Sequence, residues 1–181
     1  TFPKILRAML RQAPNIILVG EIRDREVGDV AIQAALTGHL VFSTLHTNDA
    51  PSAITRLIDM GIKPFLVASA IQAIMGQRLI RVICNECKQP DPNPDPRILK
   101  SLGFTEAELA GKTVWKGVGC KRCHNSGYRG RVGAFEMLIM NSQLRDLAFN
   151  RAPATQLRAA ARASGFLSRS RDEDLQVRAL N

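Results

Sequence analysis

Aromatic side chains are scarce in this chain of 181 residues: they make up 5%, with one Trp and one Tyr. Proteins that hold single-stranded nucleic acid stack bases on aromatic faces, so the scarcity argues against that class. No stretch approaches the roughly 18 consecutive apolar residues needed to cross a bilayer. No signal peptide is visible either, since Thr1-Phe2-Pro3-Lys4 leads straight into a periodic segment. A cytoplasmic setting with reduced thiols is therefore expected. The chain lacks an initiator Met, which suggests a fragment of something longer. It also lacks a phosphate-holding loop. Gly111-Lys112-Thr113 supplies the last three positions of G-x-x-x-x-G-K-[ST], but Glu106 stands where the first Gly is needed and a predicted helix leads into it. Acidic residues are in deficit, 16 against 25 Lys and Arg, for a net charge of +9. Such a balance suits anionic partners, or reflects only the solvated surface of an excised piece.

What is present is a substantial apolar content of 45%, arranged in periodic stretches. Phe2, Ile5, Leu6 and Met9 recur at helical spacing and predict a helix over 3–12. Ile16-Ile17-Leu18-Val19 and Leu40-Val41-Phe42 are short unbroken apolar runs, as in strands of a parallel sheet buried on both faces. Between them Val27, Val30, Ala31, Ala34 and Ala35 form a helical stripe stopped by Gly38. Further stripes follow at Ala50, Ala53, Ile54, Leu57 and Ile58, capped by Asn48 or Asp49, and at Val67, Ala70, Ile71, Ile74 and Met75. Residues 79–83 read as a strand. The alternation predicts an α/β layered core. From Cys84 the texture changes: Pro90, Pro92, Pro94 and Pro96 exclude a helix interior or a central strand. A small helix is expected from Thr105, with Glu108 completing a capping box. Gly127–Arg131 reads as a turn, Val132–Met140 as a strand, and 142–149 and 154–164 as two helices. The charged tail from Ser168 is assigned no structure.

The four cysteines form two pairs, Cys84-x-x-Cys87 and Cys120-x-x-Cys123, with 32 residues between them. Two such knuckles present four thiolates to a tetrahedral ion, and their softness favours Zn²⁺. A polar, proline-rich insert of about 40 residues is too small to stabilise itself by burial alone and needs a metal or crosslinks. Disulfides are disfavoured in the cytoplasm, and a redox dithiol is usually a single C-x-x-C. A site closed by four thiolates is expected to be structural, with His124 left out of it.

Glu21 follows the first predicted strand directly after Gly20, at the edge where open α/β sheets bind ligands. Nucleotide-hydrolysing enzymes use a carboxylate there to hold the Mg²⁺ shell or orient the attacking water. The next strand has the same design: Gly38-His39 precedes it, and the polar run from Ser43 through His46 to Asp49 follows.

The stretch from Leu10 to Asp24 resembles the Walker B segment of the ATPases of type II secretion and type IV pilus assembly, the GspE/PulE–PilB group. Thr37 to Ala50 resembles that family's histidine box. Thr55–Gly61, Gln77-Arg78-Leu79 and the four cysteines followed by Gly127-Tyr128-Arg129-Gly130-Arg131 match as well, so the likeness runs from about residue 2 to 166. The resemblance implies the second half of a RecA-like core over residues 1–83, carrying the Walker B segment and histidine box. It implies a zinc-binding insert over 84–127 and a C-terminal strand and helices over 128–181. It further implies a cytoplasmic homo-hexamer, docked on inner-membrane platform proteins, in which turnover of ATP with Mg²⁺ drives pseudopilus assembly and protein export. Glu21 would be the Walker B acid and His46 would sense or stabilise the γ-phosphate. His39 would support the box, and Arg23, with Arg11 as the second candidate, would assist at a subunit boundary. The family's phosphate-holding loop lies upstream of these motifs, so the chain alone is expected neither to bind ATP tightly nor to hydrolyse it.

Two other readings compete. A pilus-extension ATPase of the same family is close, and the length of the cysteine loop leans towards secretion. A zinc-ribbon module that binds nucleic acid through its positive charge belongs to a different class; salt-dependent oligonucleotide binding would support it. Loss of half a parallel sheet exposes apolar edges, which is expected to make the isolated chain aggregate.

Overall fold

A computed structural model of the chain describes residues 2–101 and 104–165. The tail from Ser168, and the side chains of Phe2, Leu6 and Glu108 that figure in the expected stripe and capping box, lie outside what is described. The described residues divide into two units, one of residues 2–76 with 137–165 and the other of Gln77–Glu136.

In the first unit, helix α1 (Phe2–Leu10) leads to strand β1 (Ile16–Val19), helix α2 (Arg25–Leu36) and strand β2 (Leu40–Ser43). β1 and β2 are parallel, with Ile16 opposite Leu40 and Val19 opposite Ser43. Parallel neighbours need a crossover, and α2 supplies it. It begins where the Asp24 carboxylate accepts the Val27 N–H at 2.9 Å. It ends at Thr37, after which Gly38 takes φ +99°, a left-handed conformation that favours glycine. Helix α3 (Ala50–Asp59) is capped by Asp49, whose carboxylate accepts the Ser52 N–H at 2.8 Å.

Helix α4 (Pro64–Ala70) is shorter than its apolar stripe suggests. Ile71 is extended (ψ 128°), and residues 73–83 form strand β3, so Ile74 and Met75 belong to a strand and not to the expected helix. The carbonyls of Ala68 and Ser69, left open where α4 stops, are taken by the Arg145 guanidinium. β3 pairs with the later strand β6 (Tyr128–Ile139). β6 starts within the expected turn, four residues before Val132. Helices α7 (Ser142–Phe149) and α8 (Ala154–Ala163) close the first unit.

The core of this unit gathers Ile17 and Val19 from β1, Val30, Ala31 and Ala34 from α2, Ile54 and Leu57 from α3, Val67 from α4, Leu144 from α7, and Leu157 and Ala161 from α8. Only one face of β1–β2 joins it. Ile16 and Leu18 are 62% and 77% exposed, and Leu40 and Phe42 each 52%. The expectation of strands buried on both faces is therefore corrected: alternate residues of β1 point to opposite faces, and no described element covers the second face.

The second unit is built on the cysteines. Strand β4 (Lys88–Pro90) pairs antiparallel with β5 (Trp115–Gly117), Lys88 opposite Gly117 and Pro90 opposite Trp115. Pro90 is tolerated because this ladder has only two strands. Helix α5 (Pro96–Ser101), which the sequence did not announce, starts with Pro96 in its first turn, where a missing N–H costs nothing. Helix α6 (Glu106–Leu109) follows.

Candidate functional site

Two groups of side chains stand out, one in each unit. The first forms where β1 and β2 leave the sheet. Because the strands run the same way in register, their exits lie on one edge, and hydrogen bonds continue the pairing beyond the strands. Thr44 Oγ1 donates to the Gly20 carbonyl at 2.6 Å. The Ile22 N–H donates to the Thr44 carbonyl at 3.1 Å. Glu21 is thereby held opposite the loop that carries His46, and His46 Nε2 lies 2.9 Å from Glu21 Oε1. The other carboxylate oxygen accepts from Arg23 Nε at 2.5 Å. Ile22, Leu45 and Arg56 complete a cleft of about 180 Å³ around these groups.

The Glu21 side chain is only 19% exposed, whereas those of His46 and Arg23 are 89% and 78% exposed. Pairs this open to water contribute about 0–1 kcal/mol to folding. Stability therefore does not account for the cluster. Chemically it offers a largely desolvated carboxylate, an imidazole that can donate or accept, and two guanidinium groups. That set suits an anion of several oxygens with a metal-bound or nucleophilic water beside it.

His39 lies elsewhere. It precedes β2, at the opposite end of that strand from Thr44, roughly 16 Å along the chain direction at strand rise. Its Nδ1 lies 3.0 Å from the Ala34 carbonyl and 3.2 Å from Thr37 Oγ1. Through these two contacts the ring ties the end of α2 to the start of β2. Arg11 is exposed in the turn between α1 and β1. Arg56, by contrast, lines the cleft although no role was expected of it; its place in the Thr55–Gly61 motif was the available signal.

The second group is the cysteine cluster. Cys84, Cys87 and Cys123 are buried and Cys120 is half-buried, and the four Sγ atoms lie within 4.8 Å of one another. His124, in the left-handed region at φ 51°, is not in the group. The Sγ–Sγ separations are 3.9 Å for Cys84–Cys120, 3.8 Å for Cys87–Cys123 and 3.7 Å for Cys120–Cys123. A tetrahedral ion with Zn–S bonds near 2.3 Å spaces its sulfurs about 3.8 Å apart, whereas a disulfide needs about 2.05 Å. The donor set therefore fits a four-thiolate metal centre.

Backbone N–H groups aim at these sulfurs. Cys120 and Gly127 donate to Cys123 Sγ at 3.2 and 3.3 Å. Burial raises the Cys123 thiol, but these donors outweigh it and bring it down to about 6. Cys87 goes the other way: burial pushes it up to about 11, with the Gly119 N–H opposing. The knuckle closes by backbone contact, Cys84 N–H donating to the Gly127 carbonyl at 3.0 Å. A Cβ on Gly117 would stand 2.0 Å from the Gly127 oxygen, so this approach excludes any side chain.

The sequence profile of the type II/IV secretion system protein family matches residues 1–179. The chain belongs to this family. Among similar proteins, the type IV pilus assembly ATPase PilB of Thermus thermophilus is 48% identical over 166 residues, 92% of this chain and 19% of the relative. The type II secretion system protein E of Pseudomonas aeruginosa is 48% identical over 165 residues, 91% of this chain and 32% of the relative. The family member described here thus spans about a fifth to a third of the length of these relatives. Equal identity to a pilus-assembly protein and a secretion protein puts it in the family they share without selecting a branch. Among solved structures, the pilus retraction motor PilT with bound ADP is 27% identical with a TM-score of 0.54, covering 93% of this chain and 41% of that one. The ATPase DotB of Legionella pneumophila is 23% identical with a TM-score of 0.53, covering 90% and 34%, a likeness of α/β fold alone. Among the described residues no helix is long and apolar enough to cross a membrane.

Proposed function

We propose that this chain is the Walker B, histidine-box and four-cysteine portion of a secretion or pilus-assembly ATPase, with Glu21 and His46 as its hydrolytic pair. The observation that carries the reading is the meeting of Glu21 and His46 at 2.9 Å, at the shared exit of two parallel strands, in a family whose relatives are named ATPases. In this role the Glu21 carboxylate orients the attacking water, or a water in the shell of Mg²⁺, and accepts its proton. His46, on the open side of the carboxylate, donates to the terminal phosphate as charge builds on its oxygens. Arg23 and Arg56 supply positive charge at the rim of the cleft. His39 supports the box from a distance by fixing the α2–β2 junction. Mg²⁺, when bound with ATP, neutralises phosphate charge.

In this reading the groups that wrap the β- and γ-phosphates come from outside these 181 residues, and the chain is inactive by itself. The full-length protein works as a homo-hexamer in the cytoplasm, held at the inner membrane through platform proteins, and couples turnover to pseudopilus assembly and type II secretion. Pilus extension is the second reading, supported by the 48% identity to PilB just as secretion is by the equal identity to protein E. The four thiolates hold a structural Zn²⁺.

The test is an ATPase assay on the full-length protein with Glu21→Gln and His46→Ala beside wild type. Loss of a positioned base lowers kcat by about 10²–10⁴-fold. Glu21→Gln should fall in that range and His46→Ala should fall clearly below wild type, with ATP still bound. Turnover of Glu21→Gln within about threefold of wild type would remove Glu21 from the chemistry.

A further inference from the structure

The loop that presents His46 is gripped from an unexpected direction. Three residues after His46, Asp49 caps α3, and its carboxylate has two partners: one oxygen accepts the Ser52 N–H, and the other accepts from the Arg158 guanidinium on α8. The Arg158 contact spans 109 positions of sequence and is partly buried. Burial raises the Asp49 carboxyl, but the Ser52 and Arg158 bonds outweigh it and hold the group ionised below its ordinary range. Behind the pair, α8 is set into the same core as α3, with Leu157 and Ala161 buried alongside Ile54 and Leu57. Within the loop, Thr47 Oγ1 donates to the Asp49 carbonyl at 3.2 Å, and Thr44 is tied to Gly20, the residue before Glu21. A continuous run of bonds and short backbone links therefore joins α8, Asp49, the His46 loop and Glu21.

We infer that Arg158 is a positioning residue: the Arg158–Asp49 pair fastens α8 to the histidine loop, so the seating of that C-terminal helix sets where His46 stands over Glu21. The inference rests on the hydrolytic reading of Glu21 and His46 and adds a control point to it. Arg158 touches neither reacting group. It acts through Asp49, and anything that lifts α8 withdraws the imidazole while leaving the carboxylate in place. A partner protein that binds α8 would in this way set the rate of turnover without entering the cleft.

The experiment uses the full-length protein and reads kcat and KM for ATP, with zinc content as a check on the integrity of the second unit. Misplacement of a catalytic group by about 1 Å costs up to 10²-fold. Arg158→Ala should therefore lower kcat on the order of tenfold, with KM for ATP and zinc content unchanged. Asp49→Asn keeps the capping oxygen but loses the charge, and should reproduce that loss. The double variant should be no slower than either single one, because the two residues act as a unit. Arg158→Lys should recover most of the rate, which also covers the case in which the alanine variant folds poorly. Additive losses, or an Arg158→Ala enzyme within about twofold of wild type while Glu21→Gln is dead, would overturn the inference and leave the hydrolytic reading standing. An active Glu21→Gln enzyme would sink that reading, and this inference with it.

Discussion

Replacing Cys123 by serine tests how the second unit is held together. Within Gln77–Glu136 the buried apolar side chains among the described residues are, apart from cysteines, Phe104 and Ala134. At about 25 cal/mol per Å² a buried Phe contributes roughly 1.5–3 kcal/mol, and an alanine methyl under about 1 kcal/mol. A structural zinc site contributes about 10–16 kcal/mol of folding free energy, so a zinc ion on the four thiolates would outweigh side-chain burial several-fold. Cys123 is the sulfur with most to lose, being 4% exposed and accepting two backbone N–H bonds. Cys123→Ser should lower zinc, released by a mercurial and titrated with a chromogenic chelator, from about one per chain to less than about 0.2. Hydrogen exchange should then show lost protection across Lys88–Pro90 and Trp115–Gly117. Protection at Val19 and Ile54 should persist, because the core of the first unit contains no residue of Gln77–Glu136. A protein that carries no metal, yet protects the β4–β5 ladder equally with Cys123 or serine, would refute the reasoning.

Further outcomes follow from the same structure. Gly117→Ala drives a Cβ into the Gly127 carbonyl, which belongs to a backbone that cannot rotate aside; about 3 kcal/mol of destabilisation is expected, read as earlier zinc release in urea, and a change under about 0.5 kcal/mol would contradict it. The Asp49 carboxyl is lowered in the folded state, so its contribution is present above the unfolded value of 3.8 and is lost as pH falls through the lower folded value. Asp49→Asn should thus melt below wild type at pH 7, with the gap closing below about pH 4; a gap that widens on acidification would reverse the assigned sign. Leu18→Lys with Phe42→Lys, on the uncovered face of β1–β2, should reduce light scattering by the isolated chain. Unchanged scattering would place the aggregating surface elsewhere.

The sequence was most legible where a pattern has one physical solution. Val27, Val30, Ala31 and Ala34 face one way only on a helix and Gly38 stops it, so the existence of α2 and its end were readable, whereas its start at the Asp24 cap was not read. The Glu21–His46 meeting could be anticipated because a short strand–helix–strand unit forces parallel strands whose exits share an edge. The cysteine spacing was equally direct. Val67 to Ala70 is the expected helix, but Ile71 to Met75 was misread because Ile71 and Ile74 continue the helical period while the backbone extends at Ile71; short apolar runs do not separate helix from strand. Gly127 and Gly130, at φ +76° and +84°, suggested a turn, yet β6 begins between them. The exposed face of β1–β2 and the Arg158–Asp49 pair were beyond reach, since both depend on which distant elements pack nearby and no local pattern encodes that.

The hydrolytic assignment is tested most directly by a structure of the full-length protein bound to Mg²⁺ and a non-hydrolysable ATP analogue. The terminal phosphate is expected in the cleft between Glu21 and His46, with His46 Nε2 turned from the carboxylate to a phosphate oxygen and Glu21 on a water or on the shell of the ion. Nucleotide bound well away from this cleft, with the 2.9 Å Glu21–His46 contact intact, would contradict it.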